Sequence, residues 1–186
     1  MDEWVCDYTL HGHTSTVWAF DFDPSGEFLA SCSEDKTWIV WHVSETGYKK
    51  LCHVKDTHFR AIYSLSWSTV EQPGVHGGSE KRHRIATVGS DNQLFIHEIA
   101  DSELQAAKES PPADEASQLE PLVSPVLVQK IAQAHTSDIN SVTFCPSDPC
   151  RLATASDDGT IKIWQIGQQQ PGASLQSAEE QPMELN

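Results

Sequence analysis

Long apolar runs are missing from this chain. Nowhere do about 18 apolar residues follow one another, the length a bilayer-spanning helix needs. Met1 is followed by Asp2-Glu3-Trp4 rather than by the apolar core of a leader peptide. Both absences predict a protein that is neither membrane-embedded nor secreted. Positive charge is also scarce: 12 Lys and Arg stand against 27 Asp and Glu, a formal net charge of −15 in 186 residues. Such a surface is repelled by phosphate backbones and anionic lipid, which argues against nucleic acid or membrane as a direct partner. The five cysteines, Cys6, Cys32, Cys52, Cys145 and Cys150, are odd in number and form no C-x-x-C pair. Neither a disulfide framework nor a cysteine-held metal is indicated, and reduced structural thiols in a cytosolic compartment are expected. Sustained helical periodicity is lacking too, which removes helical bundles.

What the chain does contain is one pattern written more than once. His13 leads through Leu29-Ala30-Ser31-Cys32-Ser33-Glu34-Asp35 to Trp41. His135 leads through Leu152-Ala153-Thr154-Ala155-Ser156-Asp157-Asp158 to Trp164. In both, the aspartate precedes the tryptophan by six residues. A degraded third copy lies between them: His58, then Ile85-Ala86-Thr87-Val88-Gly89-Ser90-Asp91, with His97 in place of the tryptophan. Internal repeats fix an architecture before any residue chemistry is considered, and this one resembles the WD40 type.

Around these landmarks, branched and aromatic runs alternate with polar turns. Val17–Phe22, Phe28–Ser33 and Trp38–Trp41 read as strands, as do Leu51–Val54, Ile62–Trp67, Ile85–Val88, Gln93–Ile99 and Val126–Ala132. Trp4–Leu10 also reads as a strand. Strands joined by short turns without intervening helices mean antiparallel meanders, so the fold class is all-β, and the resemblance to WD40 repeats implies that the sheets are propeller blades. The repeats span 4–43 (opening on an outer strand, 4–10), 48–100 and 126–166. Residues 71–84, with Pro73, several glycines and Lys81-Arg82-His83-Arg84, predict a surface loop inserted in the middle repeat. Residues 101–125, acidic and proline-rich, predict a disordered loop, and 167–186 a disordered tail.

In the WD-repeat pattern a His, a hydroxyl, an Asp and a Trp make one hydrogen-bonded chain. The matching sets are His13, Ser33, Asp35, Trp41 and His135, Ser156, Asp158, Trp164, with His58 and Asp91 as a partial set. Gly89 and His97 in the middle repeat predict a network that is broken or differently made there. The same residue types could suggest a Ser-His-Asp hydrolase, but an active site is built once and this set recurs in register, so no catalytic residue is expected. The close histidine pairs 11/13, 53/58 and 76/83 bring no third ligand near in sequence, so no metal site is expected.

The wording of the repeats resembles one branch of the WD-repeat proteins more narrowly. Trp4-Val5-Cys6, Leu10-His11-Gly12-His13, Ser15-Thr16-Val17-Trp18 and Phe22-Asp23-Pro24-Ser25-Gly26 are similar to the WD-repeat proteins of cytosolic iron–sulfur protein assembly. His58-Phe59-Arg60, Ile62-Tyr63, Ala132-Gln133-Ala134-His135 and Asp138-Ile139-Asn140 extend the likeness over nearly all of residues 4–166. The resemblance implies the last three blades of a seven-bladed propeller that carries no cofactor of its own. It implies a scaffold that works with the protein partners of an iron–sulfur targeting complex and with client apoproteins, in the cytoplasm and for nuclear clients. It also implies a partner-binding top face at Thr16, Glu34, Phe59, Arg60, Ala61, Ser90, Asp138 and Asp157. Three repeats cannot close a ring, since propellers have about four to eight blades, so a partial product of a longer protein is the expectation. A generic WD40 adaptor of ubiquitin-ligase or chromatin complexes, or a non-functional fragment, remains the alternative.

Overall fold

The computed structural model describes residues 4–73, 78–111 and 121–167. Eleven strands and one helix follow in the order β1 (Val17–Phe22), β2 (Phe28–Ser33), β3 (Trp38–Ser44), β4 (Gly47–Val54), β5 (Ile62–Pro73), β6 (Ser79–Gly89), β7 (Leu94–Ala100), α1 (Asp101–Glu109), β8 (Val126–Ile131), β9 (Ile139–Cys145), β10 (Asp148–Ser156) and β11 (Ile161–Gln165). The strands make three antiparallel sheets, β1-β2-β3-β4, β5-β6-β7-β8 and β9-β10-β11. The chain is mostly β, in meanders of the WD40 type.

Sequence repeats and sheets are out of step by one strand. β4 opens the middle repeat, yet it closes the first sheet, pairing with β3 from Trp38↔Val54 to Ser44↔Gly47. β8 likewise opens the last repeat and closes the second sheet along β7. Each repeat therefore reaches back into its predecessor.

Adjacent sheets pack face to face through two apolar layers. Phe28, Cys32, Trp38, Val40 and Leu51 of the first sheet meet Ile62, Leu65, Trp67 and Ile85 of the second. On the second sheet's other face Val88, Leu94 and Ile96 meet Ile139, Val142, Phe144 and Leu152. Polar stitches fix how the sheets sit. The Asp21 carboxylate accepts the Trp67 amide N–H at 2.8 Å, while the Ser64 and Ser66 hydroxyls accept the Val142 and Phe144 amides at 3.2 and 3.1 Å. These partners come from β1, β5 and β9, so the first strands of the three sheets line up side by side. Cys32 and Cys52 lie inside the first layer, where burial pushes both thiols up to about 12.

Three sequence expectations are corrected here. Residues 71–84 are not a loop: β5 and β6 run on as one long hairpin, paired as far as Pro73↔Ser79, and only 74–77 fall outside the described residues. Within it the basic cluster is paired off rather than solvated. Arg84 is buried against Glu98 at 2.7 Å, and His83 is buried between Trp67 and Asp101. Residues 101–111 are not a disordered loop either, because Asp101–Glu109 is a helix. Its Leu104 and Ala107, spaced to share a face, close the first apolar layer with Val123. Lys49 of β4 donates to the carbonyls of Ala107 and Ser110 at 2.7 and 2.6 Å, satisfying a helix end that a Schellman glycine would otherwise serve. The rest of that expectation, 112–120, lies outside the described residues, as does nearly all of the 167–186 tail. Residues 4–10, finally, form no strand: no sheet edge among the described residues runs beside them, and Trp4 and Val5 stand exposed.

Candidate functional site

The repeated side chains do converge in each sheet. His13 Nδ1–H donates to Asp35 at 3.0 Å, since a carboxylate can only accept. This tautomer leaves Nε2 as an acceptor for a hydroxyl, which is Ser31 at 2.9 Å. The same Ser31 oxygen then accepts the Trp41 indole N–H at 2.9 Å. The third sheet repeats the chain with Asp158, His135, Thr154 and Trp164 at 2.8, 2.7 and 2.8 Å. The relay hydroxyl is therefore Ser31 and Thr154, not Ser33 and Ser156 as expected from sequence. Ser33 and Ser156 sit one step on along the same strand face, and their hydroxyls accept the amides of Asp35 and Asp158 at 3.1 Å each.

In the middle sheet the network is differently made, shortened by one link. His58 Nδ1 lies 2.9 Å from both carboxylate oxygens of Asp91, and its Nε2 meets the Thr87 hydroxyl at 3.0 Å. Only the last link is missing. His97 occupies the tryptophan's position, and its buried Nδ1 has no hydrogen-bond partner. Gly89 stands where the other repeats carry serine for a backbone reason: a Cβ there would lie 2.0 Å from the Ala61 carbonyl oxygen. Substituting the repeat's own residue, Gly89→Ser, is therefore expected to destabilise by about 1–3 kcal/mol, the range for overpacking. Urea unfolding of the two proteins checks it; a gain in stability would contradict the crowding at Ala61.

The aspartates hold two loops at once. Asp35 accepts the Thr14 amide at 2.8 Å and the Thr37 hydroxyl at 2.6 Å. Burial alone would raise this carboxyl, but the bonds from Thr37, Thr14 and His13 outweigh it and hold the group at about 2. Asp158 is likewise held below the usual carboxylate range, first by the Thr160 hydroxyl. The clamped turns bring the expected top-face residues together in pairs. Glu34 N–H donates to the Thr16 carbonyl at 2.9 Å, Ser90 to Ala61 at 3.0 Å and Asp157 to Asp138 at 3.0 Å. Phe59 and Arg60 stand exposed beside the middle pair. Ala61 does not belong to an accessible face: it is buried against the Gly89 turn.

Three residues of this rim were missed from sequence. Trp18, half exposed, donates its indole N–H to Glu34 at 2.8 Å and stacks edge-on to Tyr63 at 5.4 Å. Asn140 bonds to Asp157. Trp18, Tyr63 and Asn140 all lie two residues after the carbonyl partners Thr16, Ala61 and Asp138, a shared offset that could have pointed to them. Among the described residues no three His, Cys, Asp or Glu side chains gather as metal ligands, and no helix is long and apolar enough to cross a membrane.

Meanders whose His–Asp brackets clamp three equivalent turns are of the WD40 type, and the model for the WD domain, G-beta repeat, matches residues 4–42 and 126–165. More narrowly, the chain is similar to the probable cytosolic iron-sulfur protein assembly protein Ciao1 of Culex quinquefasciatus, 32% identical over 88% of the chain and 45% of the relative. The probable CIAO1 homolog of Schistosoma japonicum is 33% identical over 89% of the chain and 47% of its own length. The probable cytosolic iron-sulfur protein assembly protein 1 of Yarrowia lipolytica is 29% identical, again over 89% and 47%. The chain thus spans about half the length of the curated relatives it matches. The matched family segments leave out the middle repeat, the one in which His97 replaces the tryptophan.

Proposed function

We propose that this chain supplies part of a protein-interaction scaffold in cytosolic iron–sulfur protein assembly, helping to pass clusters, as cargo, to cytosolic and nuclear apoproteins. The observation that carries the reading is the rim of three clamped turns, set beside relatives named for that process. Each turn is held by a buried His–Asp bracket, so Glu34, Ser90 and Asp157 are presented at fixed spacing with little ordering entropy left to lose on binding. A non-enzymatic role is supported by the fate of the hydroxyls. Ser31, Thr87 and Thr154 are buried, and each points its proton at a histidine rather than at solvent. An acidic rim with aromatic edges at Trp18 and Phe59 suits proteins as partners.

The test is the double charge reversal Asp138→Lys with Asp157→Lys. Capture of iron–sulfur targeting subunits from a cell extract is expected to fall about tenfold, with an unchanged circular dichroism spectrum. Unchanged capture would remove this rim from the reading. Recovery of ubiquitin-ligase or chromatin subunits in place of iron–sulfur factors would overturn the function itself.

A further inference from the structure

Helix α1 is fastened by polar contacts at three places, and one of them is unbalanced in charge. At its start the Asp101 carboxylate meets the His83 ring at 2.9 Å and the Lys81 ammonium at 3.5 Å. Near its end Lys108 pairs with Glu27, in the turn between β1 and β2, at 2.7 Å. The third contact is different. Lys49 of β4 reaches the helix end and sets its ammonium on two neutral carbonyls, those of Ala107 and Ser110. Among the described residues it has no carboxylate partner, whereas Lys81, Arg82, Arg84, Lys108 and Arg151 each have one. Burial lowers the pKa of this half-buried ammonium, so an added anion nearby would stabilise it. His42 of β3 lies within range of the same charges: its pKa is lowered first by burial and next by Lys108, with Lys49 contributing too.

The residue that Lys49 touches there is a serine followed by a proline. Only two Ser-Pro steps occur in the 186 residues, Ser110-Pro111 and Ser124-Pro125, and no Thr-Pro step. Ser110 closes the helix in extended backbone, with φ −62° and ψ 142°, the region that a following proline favours. Its half-buried hydroxyl makes one bond, to the Ala106 carbonyl at 3.0 Å, and Pro111 beside it is exposed. A serine in extended backbone with an exposed proline directly after it is the feature that proline-directed kinases read. Ser124 is exposed as well, but among the described residues no basic side chain bonds to it. Ser110 alone combines the motif with a cation that lacks a carboxylate.

We infer that Ser110 is phosphorylated by a proline-directed kinase and that Lys49 holds the phosphate, fastening the end of helix α1 to β4. In the transfer, the γ-phosphoryl group of ATP forms a P–O bond to Ser110 Oγ and its bond to the β-phosphate oxygen breaks. ADP leaves, and the hydroxyl proton passes to the kinase's catalytic base. The serine thereby loses its bond to Ala106 and gains close to two negative charges. Two effects then oppose each other. Glu109 and the negative end of the helix dipole repel the phosphate, while Lys49 attracts it. The dipole amounts to about half a charge, and Lys49 already covers two of the carbonyls that carry it. Lys49 brings a whole charge, 2.6 Å from an oxygen of the same serine. The attraction wins, and the third fastening becomes a charge-assisted pair like that of Lys108.

The test treats the 186-residue chain, carrying Ser124→Ala, with a mitogen-activated protein kinase (a proline-directed enzyme) and Mg-ATP. Intact mass and peptide mapping are expected to show one phosphoryl group, on Ser110. Amide hydrogen exchange across residues 101–109 is expected to slow about tenfold, the scale of one charge-assisted hydrogen bond. Lys49→Met keeps an apolar stem without the charge; it should take up phosphate equally and show no slowing. Lys49→Arg should keep the slowing, and circular dichroism shows that both variants fold. No phosphate on Ser110, under conditions that phosphorylate a peptide of residues 105–115, overturns the site. Phosphate on Ser110 with unchanged or faster exchange overturns the holding by Lys49, and so does equal slowing in Lys49→Met.

Discussion

Trp38→Ala is expected to cost about 3–5 kcal/mol of folding stability, the range for deleting a large buried aromatic. Trp38 is fully buried at the centre of the layer joining the first two sheets. Its ring packs on His97 with centroids 5.1 Å apart, so truncation opens a cavity in the interface and not merely in one sheet. Trp38→Phe should cost much less than the alanine variant. Trp38 Nε1 is buried without a hydrogen-bond partner, and removing an unsatisfied donor offsets part of the lost packing. Urea titrations of the three proteins decide the matter. If Phe and Ala are equally damaging, the unpaired indole nitrogen has been misjudged; if neither matters, the first two sheets do not pack together in solution.

The second large effect is a pH dependence centred on the other side of that contact. His97 is 4% exposed. Burial first, and the neighbouring His58 second, push its pKa down from the ordinary 6.5 to about 4. The fold therefore favours the neutral ring. Above pH 6.5 both folded and unfolded chains hold it neutral and nothing is lost. As the pH falls from 6.5 towards 4, the unfolded chain takes up the proton first, so stability declines; below about 4 the folded chain protonates too and the decline ends. The full difference amounts to about 3 kcal/mol. His97→Phe should be flatter than the parent by that amount over the same interval. Comparing the two proteins subtracts His42, His53 and His83, whose pKa values are lowered as well, each chiefly by burial. Parallel stability curves for the two would show that His97 is not buried as described.

How much of this was readable beforehand depends on what each segment's neighbours do. Val17–Phe22 and Phe28–Ser33 carry their strand character locally, and both form over the ranges expected. The relay hydroxyl was not readable from one repeat. Ser31 and Ser33 differ by two positions, so strand periodicity puts both on one face. Comparing all three repeats would have decided it, because a hydroxyl stands at Ser31, Thr87 and Thr154 alike, whereas Gly89 interrupts the other series. The helix was masked by its surroundings. Prolines and acids dominate 101–125 as a whole, but Asp101 and Glu103 at the start, Lys108 at the end and Leu104 with Ala107 on one face are helix signals taken alone. The paired state of Arg84 and His83 was beyond reach, since it depends on Glu98, Asp101 and Trp67 arriving from other strands and the helix. Trp4–Leu10 shows the reverse case. Its composition suits a strand, but a strand exists only beside another.

The one-strand offset between repeats and sheets bears on how such a chain can lengthen or shorten in evolution. Tandem duplication copies the sequence unit, which is one fourth strand followed by three strands of the next sheet. Inserting such a unit gives its first strand to the sheet before it and receives one from the unit after it. Every interior sheet stays complete, and no new edge appears. Losing a unit heals in the same way. The genetic module and the folded module differ, and that mismatch is what lets blade number change by whole steps.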